Sequence, residues 1–335
     1  HAVWLSFEQL MKLITGDIGG TNTRLAVYDL AADGFVDGAA ETYPSADFPS
    51  LEAILERFRE QHGDAQAGCF AVAGPVRRGR SEITNLPWIV DAAVIGAAFG
   101  WSRVALLNDL EAIAWGIGAL GEDDWVTLNA GDPDPEGNRA VIAAGTGLGE
   151  AGVCRSGGHG HPFASEGGHA DFAPAEAEQA GLLSWLAKRY GHVSWERVAS
   201  GTGLVDVYAW CLEQQAVPPP AWFDGAPDPA AAISAVALEG GDAAAVQALD
   251  LFVRCYGAES GNLALKQMAT GGVYLAGGIA PKLLKRLQQG DFMQAFTAKG
   301  RMGKLLQSMP VRVVTNGRVS LLGAAACAKE RFAGK

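Results

Sequence analysis

The sequence predicts an α/β protein with two lobes, and three observations carry this prediction. Apolar runs typical of buried strands alternate with segments of helical spacing, an order that produces mostly parallel sheets. Two of the apolar runs end in glycine-rich turns, at residues 16–22 and 145–149. At 335 residues the chain is also longer than one hydrophobic core usually supports, which favours two domains.

Each element follows from its residue pattern. Strands are predicted where apolar residues run together between turn residues, and helices where they recur every three or four positions. In the first part of the chain, strands are expected at residues 13–17, 23–28, 69–73 and 104–107, with another before Phe35 and Val36, and helices at 51–61 and 110–117. In the second part, strands are expected from residue 141 and at 273–276 and 311–314, and helices at 175–190, 194–199, 204–214, 243–265 and 321–329. Five prolines indicate that residues 217–229 form a surface loop.

The composition argues against several classes of function. The chain carries 26 Lys and Arg against 37 Asp and Glu, a net charge of −11, which disfavours nucleic acids and anionic membranes as partners. Its five cysteines include no CxxC pair, so we expect reduced thiols in a cytoplasmic protein. No uncharged apolar run reaches the length of a transmembrane helix, and residues 1–10 lack the pattern of a signal peptide.

The first glycine turn is suited to binding phosphate. Glycine lets backbone N–H groups approach an anion closely. Asp17 ends a predicted strand just before Gly19, Gly20 and Thr21. A carboxylate there can hold Mg²⁺ while the turn offers N–H and hydroxyl groups to phosphate. The alternative is an ordinary hairpin turn, in which Asp is a common residue.

The second glycine turn resembles a dinucleotide-binding motif in its spacing alone. Residues 147–152 match G-x-G-x-x-G after a strand, but a dinucleotide-binding fold requires a helix next. Here Val153, Cys154 and Arg155 continue as a strand, so we predict a hairpin. The chain also contains no P-loop and no G-x-S-x-G motif.

Asn108 and Asp109 lie just past a predicted strand, where open α/β sheets place ligands. Asp109 is a candidate general base that takes a proton from a hydroxyl attacking phosphorus. The alternative is that both residues cap the following helix, and the two interpretations are compatible.

A second polar segment contains Glu166 and His169 among glycines. A carboxylate that accepts two hydrogen bonds, beside an imidazole, suits a polyhydroxy ligand. With His159 and His161 nearby, a metal site is the alternative, but no cysteine or further histidine follows at ligand spacing. Glu196, taken alone, is typical of a solvated helix residue.

Together these segments closely resemble the bacterial glucokinases of the hexokinase/actin/Hsp70 ATPase superfamily, from about Lys12 to the closing helix. The motifs that carry the resemblance lie at residues 16–22, 107–112, 144–149, 166–174, 192–201 and 275–279. The resemblance implies ATP-dependent phosphorylation of the glucose 6-hydroxyl, with Asp109 as the base. It assigns the sugar hydroxyls to Asn108, Asp109, Glu166, His169 and Glu196. It assigns the ATP phosphates to the two glycine turns, the adenosine to a close approach of the backbone at Gly277 and Gly278, and Mg²⁺ to Asp17. The implied nucleotide-binding residues are Asp17, Gly19, Gly20, Thr21, Asn22, Gly145, Thr146, Gly147, Gly277 and Gly278.

The resemblance also implies a two-lobed actin-like ATPase fold, of the ribonuclease H-like kind, with ATP and sugar in the interlobe cleft. The small α/β lobe is expected over residues 12–117, completed by 311–333, and the large α/β lobe over 118–310. A homodimer is expected, and no zinc, because the cysteine-rich motif of the related repressor and sugar-kinase group is missing. Another hexose (mannose, fructose or N-acetylmannosamine), a non-catalytic sugar-binding regulator and an NAD-dependent dehydrogenase are the alternatives. The first differs from glucose too little for sequence to decide, the second lacks a DNA-binding module, and the third is disfavoured by the predicted hairpin.

Overall fold

The computed structural model of the chain describes residues 11–30, 35–83 and 86–332. In chain order its strands are β1 (Met11–Ile18), β2 (Asn22–Leu30), β3 (Phe35–Pro44), β4 (Ala67–Val72), β5 (Arg80–Glu82), β6 (Ile89–Asp91), β7 (Arg103–Asn108), β8 (Trp125–Asn129), β9 (Arg139–Ala144), β10 (Leu148–Ser156), β11 (His159–Ser165), β12 (Gly272–Ala276) and β13 (Val311–Val314). Its helices are α1 (Leu51–His62), α2 (Ala92–Phe99), α3 (Asp109–Gly116), α4 (Ala177–Tyr190), α5 (Gly201–Gln215), α6 (Pro229–Glu239), α7 (Ala243–Gln267), α8 (Ile279–Lys282), α9 (Leu284–Leu287), α10 (Asp291–Thr297), α11 (Gly303–Ser308) and α12 (Val319–Phe332). The part of the chain that the structure describes contains no helix with the length and apolar character needed to cross a membrane.

The chain divides into two units. The first unit contains the described residues up to Leu120 together with those from Gly317 onward, and the second contains Gly121–Asn316. The first unit is built on a five-stranded sheet with the order β3-β2-β1-β4-β7. Strands β1, β4 and β7 are parallel, while β1–β2–β3 form an antiparallel meander.

Both faces of the first unit's sheet are covered. Successive side chains of a strand point to opposite faces, and Leu13 and Ile14 on β1 accordingly belong to two separate apolar clusters. One cluster includes α1 and α2, and the other includes α12. Strands β1 and β4 are buried on both faces of the sheet. Their sequences are therefore apolar runs and do not alternate between apolar and polar residues.

Helix α12 packs closely on α3 because both helices carry a glycine at the crossing. A β-carbon on Gly323 would collide with the carbonyl oxygen of Ala112, and one on Gly116 with the carbonyl oxygen of Val319. The backbones therefore approach more closely than alanine would allow. This contact fixes α3, and with it Asp109 at the start of α3, against the C-terminal segment of the chain.

The second unit is built on a six-stranded sheet with the order β11-β10-β9-β12-β13-β8. Strands β9, β12 and β13 are parallel, and the outer pairs are antiparallel. The 25-residue helix α7 is buried along most of its length and belongs to the large apolar cluster of this unit. Helix α7 and the parallel strands at the centre of the sheet therefore pack into one hydrophobic core.

The structure confirms the hairpin after the second glycine turn, where β10 and β11 pair in antiparallel register from Glu150–Ser165 to Ser156–His159. It also contains the predicted strand Val311–Val314, but as a member of the second unit's sheet between β12 and β8. Expecting residues 311–333 in the small lobe was therefore wrong for this strand, because its hydrogen bonds hold it in the other sheet. The chain returns to the first unit only at Gly317.

The strand expected before Phe35 and Val36 falls on residues 31–34, which lie outside the described part, and the described strand β3 begins at Phe35. Two further expectations need correction. The helix expected at 194–199 is one 3-10 turn, Trp195–Arg197, and Pro229 opens α6 instead of ending a loop. Strands β5, β6 and β8 and helices α2, α6, α9, α10 and α11 were not predicted. Most of these elements are short and give weak periodic signals, and the 11-residue helix α6 is rich in alanine and shows no clear alternation of apolar and polar faces.

Candidate active site

The first glycine turn joins β1 to β2 and leaves its middle amides for a ligand. The N–H of Gly19 donates to the carbonyl oxygen of Asn22 at 3.0 Å, which closes the turn. No acceptor for the N–H groups of Gly20 and Thr21 is recorded among the described residues. The Thr21 and Asn22 side chains are exposed. Free N–H groups converging on one turn form an anion site.

Asp17 lies at the end of β1, and its side chain is about a quarter exposed (26%). Arg24, its cross-strand partner on β2, places Nη1 at 3.9 Å from Asp17 Oδ2. Burial raises the pKa of the Asp17 carboxyl, while the positive charge of Arg24 lowers it. A cation beside Asp17 would favour its charged form, since an opposite charge offsets lost hydration.

Ser45 holds the first glycine turn through hydrogen bonds, and the sequence analysis did not predict this role. Its Oγ donates to the carbonyl oxygen of Gly19 at 2.8 Å and lies 3.0 Å from Thr23 Oγ1. Its backbone N–H donates to the carbonyl oxygen of Thr21 at 2.9 Å. Ser45 and Thr23 are fully buried. No local signal marks Ser45, because it lies 26 residues from Gly19 and approaches only through the β2–β3 pairing.

Asn108 and Asp109 lie at the same sheet edge as the first turn. Ile18 of β1 pairs with Val72 of β4, and Val72 pairs with Asn108 of β7. Because adjacent strands are about 4.8 Å apart, the ends of β1 and β7 are about 10 Å apart. The structure thus brings Asp17, Asn108 and Asp109 together at the carboxyl edge of parallel strands, the usual ligand position in such sheets.

Asn108 is occupied as the cap of α3. Its Oδ1 accepts from the N–H groups of Leu110 at 3.0 Å and Glu111 at 3.4 Å, and its Nδ2 donates to the carbonyl oxygen of Gly74 at 3.2 Å. Asp109 is the first residue of α3, and its Oδ1 also accepts from the N–H of Leu110 at 3.0 Å. The capping alternative therefore holds for Asn108, and the cap fixes the point from which the Asp109 carboxylate projects.

The second glycine turn, in the second unit, directs its carbonyl groups toward α5. The carbonyl oxygens of Gly145 and Thr146 accept from the N–H groups of Gly201 at 2.8 Å and Thr202 at 3.3 Å. The N–H of Gly145 donates to the carbonyl oxygen of Gly147 at 2.9 Å. The amides of Thr146 and Gly147 have no recorded acceptor in the described chain. A turn with satisfied carbonyls and free amides is suited to phosphate.

Gly277 and Gly278 lie beside this second turn. They follow β12, whose last residue Ala276 pairs with Ala143 on β9. Gly277 has φ +80°, and a β-carbon there would collide with the backbone of Ala144. A β-carbon on Gly278 would meet nothing within 4 Å, so this position faces open space. Only glycine fits at Gly277, since both its conformation and its surroundings exclude a side chain.

Glu166, His169 and Glu196 converge on one imidazole. His169 Nε2 lies 3.9 Å from Glu166 Oε2, and His169 Nδ1 lies 3.9 Å from Glu196 Oε1. Glu166 and His169 are largely exposed, at 74% and 60%, whereas Glu196 is 25% exposed. At 3.9 Å the groups are separated by more than a hydrogen bond, which leaves donors and acceptors for hydroxyl groups.

Glu196 also contacts the second glycine turn. Its Oε2 accepts from the N–H of Leu148 at 3.0 Å, and a β-carbon on Gly147 would collide with the same oxygen. The expectation of a solvated helix residue, drawn from Glu196 alone, therefore does not hold. One carboxylate joins the predicted phosphate turn to the predicted sugar residues.

Contacts between the segment that follows His169 and the segment that precedes Glu196 hold these side chains near each other. Asp171 and Ser194 form an isolated β-bridge, and the N–H of Trp195 donates to the carbonyl oxygen of Ala170 at 3.0 Å. Phe172 and Trp195 pack edge to face, with ring centroids 4.9 Å apart. These contacts hold the 3-10 turn Gly167–His169 beside the turn that carries Glu196.

Metal ligands are sparse in the described ranges, where no group of three or more His, Cys, Asp and Glu residues is placed to hold an ion. The two glutamates near His169 lie beside different ring nitrogens, Glu166 at Nε2 and Glu196 at Nδ1, so the three side chains do not face one ion position.

Comparison with known proteins shows the family to which the chain is similar. The profile of the glucokinase family matches residues 14–331. A glucokinase of Synechocystis sp. is 40% identical, with 96% of this chain and 98% of the relative covered. A crystal structure of a glucokinase from an Antarctic psychrotroph superposes with a TM-score of 0.84 at 34% identity, covering 95% of this chain and 99% of that one. Glucokinase from Balamuthia mandrillaris in complex with glucose shares the fold, with a TM-score of 0.75 at 22% identity over 97% of this chain and 95% of that chain.

Fold and site together define a sugar kinase with the two-lobed actin-like ATPase fold. This chain has two sheets with glycine turns at their carboxyl edges, and two glutamates near one histidine. The chain belongs to the glucokinase family. It is a hexose kinase, and its reaction is the ATP-dependent phosphorylation of glucose.

Proposed function

We propose that Asp109 is the general base that takes the proton from the glucose 6-hydroxyl as that oxygen attacks the γ-phosphorus of ATP. The first residue of a capped helix at the carboxyl edge of parallel strands is a fixed position, which proton transfer in a transition state requires. Asn108 assists by holding that helix start and by offering its amide to a sugar hydroxyl. The products are glucose 6-phosphate and ADP, with the proton on Asp109.

The sugar hydroxyls are bound by Glu166, His169 and Glu196. The observation that carries this proposal is that Glu166 Oε2 and Glu196 Oε1 each lie 3.9 Å from a ring nitrogen of His169. Such groups distinguish ligands by the hydroxyls they satisfy, because a bound sugar that lacks a hydroxyl would cover them and leave them without a hydrogen-bond partner. Glucose is the hexose that the family indicates.

The phosphates of ATP are bound by the two glycine turns. Each turn has amides without a recorded acceptor among the described residues, at Gly20 and Thr21 in the first and Thr146 and Gly147 in the second. The other turn residues, Gly19, Asn22 and Gly145, shape these two cradles. The open surface at Gly278 and the bare backbone at Gly277 suit the adenosine.

Mg²⁺ is held by Asp17 together with phosphate oxygens and water. Mg²⁺ prefers one or two carboxylates plus substrate phosphates to an all-protein cage, and a partly exposed carboxylate beside free turn amides fits that requirement. When bound, the ion neutralises charge on the transferring phosphoryl group. We also propose a cytoplasmic homodimer, as expected from the family resemblance.

Calorimetry separates the sugar site from the nucleotide site. Glu166→Ala should weaken glucose binding at least tenfold and change the affinity for a non-hydrolysable ATP analogue less than twofold. Glu239→Ala, which removes an exposed glutamate at the end of α6, is the matched control and should change neither. A loss of nucleotide affinity in Glu166→Ala with unchanged glucose binding would show that the sugar site is misassigned. A coupled ADP-release assay across glucose, mannose, fructose and N-acetylmannosamine should give the highest kcat/KM for glucose.

A further inference from the structure

A buried pair of carboxyl groups lies behind the turn that carries Glu166 and His169. Glu150 on β10 is 1% exposed and Glu259 on α7 is fully buried. The two side chains interact directly with each other. Neither has a role in the reaction described above, and burying two acidic groups together is costly unless they are compensated.

The Glu150 carboxyl group packs against Gly167, the first residue of the turn. A β-carbon on Gly167 would collide with a carboxyl oxygen of Glu150 and lie 2.8 Å from its Cδ. Gly167 is not among the described residues with positive φ, so its backbone conformation is open to alanine. The space taken by Glu150 therefore requires glycine at this position.

Ser165 links Glu150 to the same turn a second time. Glu150 pairs with Ser165 across the β10–β11 ladder. Ser165 Oγ accepts from the N–H of Gly167 at 3.0 Å. A shift of the Glu150 side chain would therefore be felt at Gly167, one residue after Glu166 and two before His169.

The surrounding charges place one proton on this pair. Glu259 accepts from Asn262 Nδ2 at 2.8 Å and lies 3.4 Å from Lys266 Nζ, so it is the better stabilised anion. Lys299 also faces Glu259, and burial lowers its pKa. Burial and the negative charge of Glu259 raise the pKa of Glu150 to about 8. Glu150 is thus the neutral member at pH 7.

We propose that Glu150 is a positioning residue for glucose binding, whose neutral carboxyl group supports the turn Gly167–His169 and so orients Glu166 and His169. This inference rests on the proposed function, in which those two side chains bind the sugar. Ionisation of Glu150 places a second negative charge beside Glu259 in a dry environment. Repulsion between the two carboxylates then displaces the group that packs on Gly167. Glucose binding should weaken as the pH rises, while ATP binding changes less.

A pH profile tests this role. We expect the KM for glucose of the unmodified enzyme to rise at least fivefold between pH 7 and pH 9.5, with a smaller change in kcat and in the KM for ATP. Glu150→Gln keeps the shape of the side chain but cannot ionise, so its KM for glucose should stay within twofold over this range. Glu239→Gln is the control and should behave like the unmodified enzyme. An alkaline rise of equal size in Glu150→Gln would overturn the proposal.

A double-mutant cycle tests the contact itself. Gly167→Ala should raise the KM for glucose at least tenfold in the unmodified chain but less than threefold in a Glu150→Ala background, because the space is then vacant. Equal effects in both backgrounds would also overturn the proposal. Circular dichroism confirms that each variant is folded. If Glu166→Ala leaves glucose binding unchanged, the proposed sugar site fails. If Glu166→Ala weakens binding but the Glu150 tests fail, only the positioning role is wrong.

Discussion

Glu196 should couple glucose binding to ATP binding, and replacing it should weaken both. Its Oε2 accepts from the N–H of Leu148, which follows the second glycine turn, while its Oε1 faces His169. Glu196→Ala removes a hydrogen bond to a charged group, worth about 1.5–3 kcal/mol. At 1.4 kcal/mol per factor of ten, this corresponds to about a 10- to 150-fold loss. We expect losses of that size in the KM for ATP and in the KM for glucose.

Glu196→Gln separates the two contacts. The glutamine keeps one oxygen that can accept from Leu148, so the KM for ATP should stay within about threefold. Its charge is lost, so the KM for glucose should still rise about tenfold. Glu166→Ala is the matched comparison, because Glu166 has no recorded contact with the second turn in the described chain and should change the KM for glucose alone. The reasoning is refuted if Glu196→Ala raises the KM for glucose and leaves that for ATP within twofold, as measured in steady-state ADP-release assays.

Three further predictions concern support of the fold and turns. Ser45→Ala removes the hydrogen bond to Gly19 and should lower the unfolding free energy by about 1 kcal/mol in urea titrations and raise the KM for ATP, whereas an unchanged KM would rule out a role in shaping the turn. Gly323→Ala should destabilise by about 1–3 kcal/mol, because a β-carbon collides with the carbonyl oxygen of Ala112, and an unchanged melting temperature would contradict the close helix packing. The pKa of Glu150 is raised from 4.5 to about 8 in the folded state, so between these values the folded chain holds a proton that the unfolded chain has lost. The free energy of unfolding therefore falls as the pH rises through this range, by about 1.4 kcal/mol for each pH unit. Glu150→Gln should therefore gain stability relative to the unmodified chain from pH 5 to pH 8, and parallel pH profiles would contradict the shift.

The sequence predicts the elements whose signals are local. The apolar runs before the two glycine turns became β1 and β9, and the continued strand after Gly149 became the β10–β11 hairpin. The helical spacing of Leu51, Ile54 and Phe58 predicts a helix, and the structure has α1 at this position with these three side chains buried. In each case the information lies within a few neighbouring residues, where periodicity and glycine decide the conformation.

Contacts between distant segments could not be predicted in this way. Glu196 lies 48 residues from Leu148, and its segment is held near the turn by long-range contacts, among them the bridge between Asp171 and Ser194 and the hydrogen bond from Gly201 to Gly145. Glu150 is an acidic residue just before a predicted strand, and nothing local indicates that α7 places Glu259 beside it. Strand β13 has the expected bounds, but its sheet is chosen by pairing with Val273 and Leu275, which the sequence pattern does not specify.

Turnover of Asp109→Asn tests the proposed mechanism most directly. Asparagine keeps the size of the side chain at the start of α3 and can still accept from the N–H of Leu110, but it cannot take the proton of the 6-hydroxyl. General-base catalysis contributes about 10²- to 10⁴-fold. We predict that kcat for glucose 6-phosphate formation falls at least 100-fold while the Kd for glucose, measured by calorimetry, stays within tenfold. A variant that retains more than about a tenth of the original kcat would contradict the assignment of Asp109 as the base.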